Sequence, residues 1–360
     1  MAKPIRVLHI SPDFDYSCGV SRYLSLIFKH LAINRNIELH FITNRGDALE
    51  RISGLDVKLT LVPFTKGLRN IFYLYSFTNF LKNYIRKNHI DIVHTHHRFP
   101  EYIVNRIKKE CGIFTITTAH SLTRKYKAMS FHSDVILAVS QTVKNHLMER
   151  YNISENRILQ IYNPVADLEP ACSREVARKK LGIQGNRKVI LFIGTISREK
   201  GFDVLIDAFR QANAKISHCM LLVAGKWKGS NRYAFTSNAD ILALPSQAEV
   251  SPLYAAADLV VLPSRADSFP FTMLEAGVFQ KPFIGSAVGG IKEFIEHNKD
   301  GLLIEPESVT ELVKSMTHLL ESPEFAARLA ENLRVKVKNL NSAEEYCNNL
   351  IEIYESVTND

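Results

Sequence analysis

Short runs of β-branched and other apolar residues alternate with longer amphipathic segments along most of this chain. The short runs, bounded by polar turns, read as strands buried on both faces. In the first half they predict strands over Ile5–Ile10, Glu38–Thr43, Val57–Leu61, Ile90–His94, Phe114–Thr118 and Asp134–Val139. Ser21–Leu31, Leu68–Lys87 and Thr142–Tyr151 read as helices between them, the last with Ser140 placed to cap it. The proline-marked stretch Tyr162–Pro170 reads as a linker. A second series follows, with strands expected at Val189–Ile193, Met220–Ala224, Leu259–Leu262, Phe283–Ser286 and Leu302–Ile304. Past residue 308 the pattern is helical only and ends in the amphipathic segment Ala343–Val357. Strands alternating with helices predict an α/β protein with parallel sheets. Two Rossmann-like domains are expected, 1–165 and 166–340, facing across a cleft, with a terminal helix over 341–360 crossing back to the first. In such sheets ligands bind outside the carboxyl ends of the strands, so the chemistry is sought there.

Composition narrows this picture. A chain of 360 residues is longer than one hydrophobic core usually serves. No apolar run reaches the roughly 20 residues of a membrane-spanning helix, and the start MAKPIRVLHI lacks signal-peptide features. A cytoplasmic protein is expected, with its five scattered cysteines as reduced thiols, mostly buried, forming neither disulfides nor a zinc site. The formal net charge of +8 suits an anionic substrate or an anionic membrane surface. No nucleic-acid-binding module is recognisable. Phe64–His89 carries Lys66, Arg69, Lys82, Arg86 and Lys87 among aromatic residues. It reads either as a helix lying on the inner face of a membrane or as a core-packed helix with a solvated basic edge.

The chemistry concentrates in PSRADSFPFTMLEAGVFQKPFIGSAVGGIKE, which starts at Pro263. Asp267 and Glu275 flank a loop-to-helix junction in which Pro270 suits a first turn and Ser268 or Asp267 can cap. The amides of Phe269, Phe271 and Thr272 at that helix start, with the helix dipole, suit a phosphate. The pair Gly289-Gly290 adds a second phosphate-friendly element. Glu275, a turn inside, can accept from a ribose diol, and Asp267 can reach sugar hydroxyls. Read one at a time, the same carboxylates would be a cap and a solvated helix residue. Upstream, Gly194–Gly201 follows a strand and carries Arg198 and Lys200, two cations suited to a diphosphate.

These residues at this spacing resemble the retaining glycosyltransferases of family four, which have the GT-B fold and carry PSxxEGFGxxxLEAMxxGxPVVxxxxGGxxE followed by xxGxLVxP. Here the second element reads DGLLIEP, and the resemblance runs through nearly the whole chain. It implies that Lys200 grips the donor diphosphate. It puts Thr195 at the family's arginine position, which leaves Arg198 to substitute, and it makes Gly19 the remnant of a glycine-rich loop approaching the donor. His120 in TITTAHSL matches a histidine that touches the sugar near the reacting carbon. Asp267 stands for a glutamate and Pro270 for a glycine, so one backbone donor is missing at the helix start. These departures point to an altered donor sugar or a weakened enzyme. The base-reading segment Gly225–Val250 is unusual and leaves the base open.

Two decoys invite metal readings. Asp13-Phe14-Asp15 spells DxD, but it follows the first strand. His94, His96 and His97 end a strand, where alternation lets only His94 and His96 converge, with no third ligand evident.

The function implied is a metal-independent hexosyltransferase. It would use a nucleotide-diphospho-sugar, UDP-linked by preference, and glycosylate a glycan, lipid-linked or cell-envelope hydroxyl with retained configuration. His120, Asp267 and Lys200 would serve the chemistry; Gly19, Thr195, Arg198, Lys200, Phe269, Phe271, Thr272 and Glu275 would bind the donor. No cofactor is expected. A non-catalytic nucleotide-sugar-binding subunit and a GT-B epimerase stay open; a dehydrogenase is disfavoured because no GxGxxG follows the first strand.

Overall fold

A computed structural model describes the chain apart from residues 1–2, 65–69, 124–126, 167–168, 170–171, 215, 217, 229–238 and 359–360. The chain divides into two compact units, Met1–Pro164 with Ala343–Asp360, and Val165–Ser342.

The first unit holds seven strands: β1 (Ile5–Ser11), β2 (Ile37–Thr43), β3 (Val57–Leu61), β4 (Ile92–Thr95), β5 (Phe114–Ala119), β6 (Val135–Ala138) and β7 (Ile158–Gln160). Their order is β3-β2-β1-β4-β5-β6-β7, with every pairing parallel. The strand order reverses direction between β1 and β4, which opens a crevice at their carboxyl ends. Apolar side chains recurring at helical spacing make the helix Gly19–Leu31 bury Tyr23, Leu24, Ile27, Phe28 and Leu31. The helix Gln141–Tyr151 begins at Ser140, whose Oγ accepts from the Val143 amide at 3.2 Å. The last helix, Ala343–Thr358, packs against Gly19–Leu31 and buries Tyr346, Leu350 and Tyr354.

The helix Asn70–Asn88 packs into this core through Phe77, Leu81 and Ile85. Lys82 and Arg86 on its edge both pair with Glu110, while Tyr75 is 75% exposed. The core-packed reading describes these residues, and Lys66 and Arg69 lie outside the described ones.

The second unit holds β8 (Lys188–Ile193), β9 (Cys219–Ala224), β10 (Ile241–Leu244), β11 (Leu259–Leu262), β12 (Phe283–Ser286) and β13 (Leu302–Ile304). They form a parallel sheet in the order β10-β9-β8-β11-β12-β13. Its switch point falls between β8 and β11. The two loops singled out from the sequence leave those two strands. The three-residue β7 and the four-residue β10, which lies inside the unusual segment 225–250, are additions to the expected strands. All five cysteines are free; Cys219 and Cys347 are buried, whereas Cys18, Cys111 and Cys172 are only half-buried, a correction to mostly buried thiols.

Candidate active site

In the second unit, the loop after β8 turns into the helix Phe202–Asn213 through Gly201. Gly201 has φ 68°, and a Cβ there would lie 1.8 Å from the Pro263 carbonyl oxygen, so only glycine lets the two switch-point loops touch. Lys200 Nζ then donates to Asp267 Oδ2 at 2.6 Å, and Ser264 Oγ donates to the same oxygen at 3.1 Å. The Asp267 side chain is 8% exposed and that of Lys200 27%, so the pair is largely shielded and stronger than a surface ion pair. Arg265 ties the loops further. It meets Asp203 with two bonds of 2.7 Å and Glu307 with one of 2.6 Å, and it also donates to the Arg198 carbonyl. These acceptors, Asp203 above all, push its pKa up.

Residues 271–278 form the helix after β11, and Pro270 is its N-cap with no side-chain cap bond. This corrects the expected cap by Ser268 or Asp267 and the placing of Pro270 in the first turn: Asp267 is turned to Lys200 instead. Phe271 and Thr272 open the helix, and Thr272 Oγ1 donates to the Ile193 carbonyl at the end of β8 at 3.2 Å. Phe269 is buried, its ring edge-on to Phe294. Glu275 is not a solvated helix residue. It is 5% exposed, and its Oε2 accepts from Tyr254 Oη at 2.8 Å. The expected Gly289-Gly290 phosphate element needs revision. The Gly290 amide is committed to the Asp267 carbonyl at 3.1 Å, and a Cβ on Gly290 would lie 1.9 Å from the Ser268 oxygen. This glycine packs helix onto loop. Thr195 is half-buried and Arg198 exposed on the β8 loop. Of the base-reading segment, residues 229–238 lie outside the described ones.

In the first unit, Gly19 opens its helix behind Cys18. A Cβ there would meet nothing within 4 Å, so packing does not demand the glycine. The DxD residues serve the loop after β1: Phe14 is fully buried and Asp15 Oδ1 accepts from the Asp47 amide at 3.4 Å. His120 follows β5 and is half-buried. Its Nε2 lies 3.2 Å from Nδ1 of His96, and its ring meets Tyr23 edge-on. His96 is in turn 3.0 Å from His9, which pairs with His94 across β1 and β4. His94 and His96 converge as strand alternation requires, and a third ring, His9 from β1, joins them, a correction to the reading that no third ligand is evident. His9, His94 and His96 each bring a nitrogen within 4.8 Å of the others. Burial pushes His9 down to about 3 and His94, His96 and His120 well below the usual histidine value.

Sequence reasoning missed Tyr254, Ser264, Arg265, His9 and Tyr354. Ser264 and Arg265 lie inside the motif; the others come from distant elements that no local pattern links to it.

Two doubly wound parallel sheets in one chain, with cation and carboxylate loops at a switch point, define a GT-B glycosyltransferase. The model "Glycosyltransferase Family 4" matches residues 18–167, and "Glycosyl transferases group 1" matches residues 173–336. The chain belongs to this glycosyltransferase family. It is 29% identical to an uncharacterized glycosyltransferase of Methanocaldococcus jannaschii, over 91% of this chain and 92% of that one. Among solved structures, a glycosyltransferase from Rickettsia africae superposes with TM-score 0.82 at 22% identity, covering 99% of both chains. Anabaena HepE in complex with UDP-glucose superposes with TM-score 0.81 at 16% identity, covering 98% of this chain and 100% of that one.

Proposed function

We propose that this glycosyltransferase moves a hexose from a UDP-linked donor to a hydroxyl of a glycan, lipid-linked or cell-envelope acceptor, with retained configuration and without a metal. The observation that carries the reading is the Lys200–Asp267 pair, built from the two loops at the switch point of the second sheet. Asp267 fixes the ammonium beside the start of the helix Phe271–Val278, and cation and helix dipole together suit a leaving diphosphate. Arg198 adds an exposed cation from the same loop. Glu275, aligned by Tyr254, accepts from the ribose diol, and Asp267 also meets sugar hydroxyls. The amides of Phe269, Phe271 and Thr272 serve the phosphates. In the first unit, His120 orients the transferred sugar and Gly19 leaves room beside it. The departing phosphate assists deprotonation of the acceptor on the same face, so no separate base is assigned. The UDP-glucose held by Anabaena HepE supports a UDP-linked donor.

A thermal-shift screen against UDP-, GDP- and ADP-linked sugars, with released nucleotide assayed in parallel, tests the reading. Stabilisation with slow nucleotide release supports it. Stabilisation without release, even with candidate acceptors present, favours a non-catalytic binding subunit, and an altered nucleotide sugar favours an epimerase. Peripheral contact with an anionic membrane is proposed through Phe64–His89, of which residues 65–69 lie outside the described ones. Retention on anionic vesicles in low-salt flotation supports that contact, and free protein at the bottom of the gradient removes it.

A further inference from the structure

Four histidines of the first unit form one continuous chain with two hydroxyl groups. His120 Nε2 lies 3.2 Å from His96 Nδ1, and His96 Nε2 lies 3.0 Å from His9 Nδ1. His9 Nε2 lies 3.3 Å from Tyr354 Oη, which in turn is 2.8 Å from His94 Nδ1. His94 Nε2 ends the chain 2.8 Å from Thr118 Oγ1. Except for His120, which is half-buried, every member is buried. Tyr354 comes from the last helix, 345 residues from His9.

A neutral imidazole has one N–H and one bare nitrogen, so each ring must donate at one link and accept at the other. Every ring–ring link joins an Nδ1 to an Nε2. The direction of one link therefore dictates the tautomers of His120, His96 and His9 together, and His94 follows when Tyr354 accepts from one imidazole and donates to the other. With Tyr354 donating to one imidazole and accepting from the other, two polarities exist: all four rings Nε2–H, running from His120 toward Thr118, or all four Nδ1–H, running back. The first gives every ring the tautomer that a free neutral histidine prefers. Burial keeps the rings neutral, which preserves the alternation. The same three rings could be read as a metal triad, but each of their nitrogens already has a partner in the chain.

We propose that His9, His96 and Tyr354 are positioning residues that fix His120 as the Nε2–H tautomer, so that its Nδ1 is presented as a hydrogen-bond acceptor for a sugar hydroxyl. The part concerning sugar rests on the role given to His120 above; the coupling of tautomers does not. Removing the Tyr354 hydroxyl leaves the His9 Nε2–H without an acceptor. The chain then reverses, and His120 presents an N–H in place of a lone pair.

The test is long-range proton–nitrogen correlation NMR on histidine-labelled full-length protein at pH 7, with rings assigned by single substitution. Wild type should show His9, His94, His96 and His120 neutral and all Nε2–H. In Tyr354→Phe, the signals of His96 and His120 should move to Nδ1–H or to a mixture, although neither ring bonds to Tyr354. A merely structural tyrosine would leave them unchanged. Unlike tautomers within the wild-type chain would overturn the proposal, and this result needs no variant to fold. So would an unmoved His120 in a folded Tyr354→Phe protein, or stoichiometric uptake of added zinc by His9, His94 and His96. Adding UDP-glucose, GDP-mannose and ADP-glucose in turn then separates the two readings. A shift at His120 Nδ1 with one of them supports the sugar contact; tautomer coupling with no shift for any removes that contact and leaves the chain standing.

Discussion

Lys200 reaches Asp267 at 2.6 Å across the switch point of the second sheet, and the two form an ion pair there. Lys200→Ala should lower turnover at least about 100-fold by removing charge stabilisation of the leaving diphosphate. It should also destabilise the second unit by roughly 1–2 kcal/mol, between the values for exposed and buried pairs. Steady-state kinetics and melting of the same variant check both numbers. Near-normal turnover would remove Lys200 from the mechanism.

Glu275 and Tyr254 make a second, independent test. Glu275→Gln should weaken donor binding more than it lowers turnover. Tyr254→Phe leaves a buried carboxylate short of one donor, at a cost of about 1–3 kcal/mol. Calorimetric titration with the donor that responds in the thermal-shift screen reads the first effect, and unchanged affinity would argue against a ribose contact.

Gly290→Ala places a methyl group 1.9 Å from the Ser268 oxygen. Loop and helix must separate, which should cost roughly 2 kcal/mol or more and lower donor affinity through the displaced Asp267. A variant that melts like wild type and binds donor normally would show that the contact gives way freely.

The four buried histidines make stability depend on pH. Their folded pKa values lie below the unfolded value of 6.5, so below that pH the unfolded chain binds more protons. Stability of the first unit should therefore be full above about pH 6.5 and fall as pH drops, by up to about 1.4 kcal/mol per unit for each ring. For His9 the window runs from 6.5 down to about 3. The titratable groups facing these rings include Tyr23, Tyr354 and His97, and burial raises the pKa of both tyrosines, so neither supplies a compensating charge. Melting at pH 7.5 and pH 5 checks the direction; a higher melting temperature at pH 5 would contradict it.

Chelator should leave turnover unchanged. Loss of activity restored by added divalent metal would return attention to Asp13 and Asp15, or to the histidine triad.

The strand and helix series was legible because burial against a sheet imposes a local rhythm on hydrophobicity, and β8, β9 and β11 announce themselves by continuous apolar runs. The motif residues were legible as well, since Lys200, Asp267 and Glu275 stand in loops and a helix start whose chemistry shows in a few consecutive letters. Their partners were not. Asp267 faces Lys200 only because β8 and β11 lie side by side, and the pair is 67 residues apart in sequence. Glu275, taken in isolation, reads as a surface carboxylate, whereas the helix Ser251–Ala256 brings Tyr254 against it. The histidine chain draws on β1, β4, β5 and the last helix at once. Hydropathy specifies which segments are buried; the order of strands in a sheet decides which buried polar groups meet, and that order is set by crossovers leaving no periodic trace in the sequence.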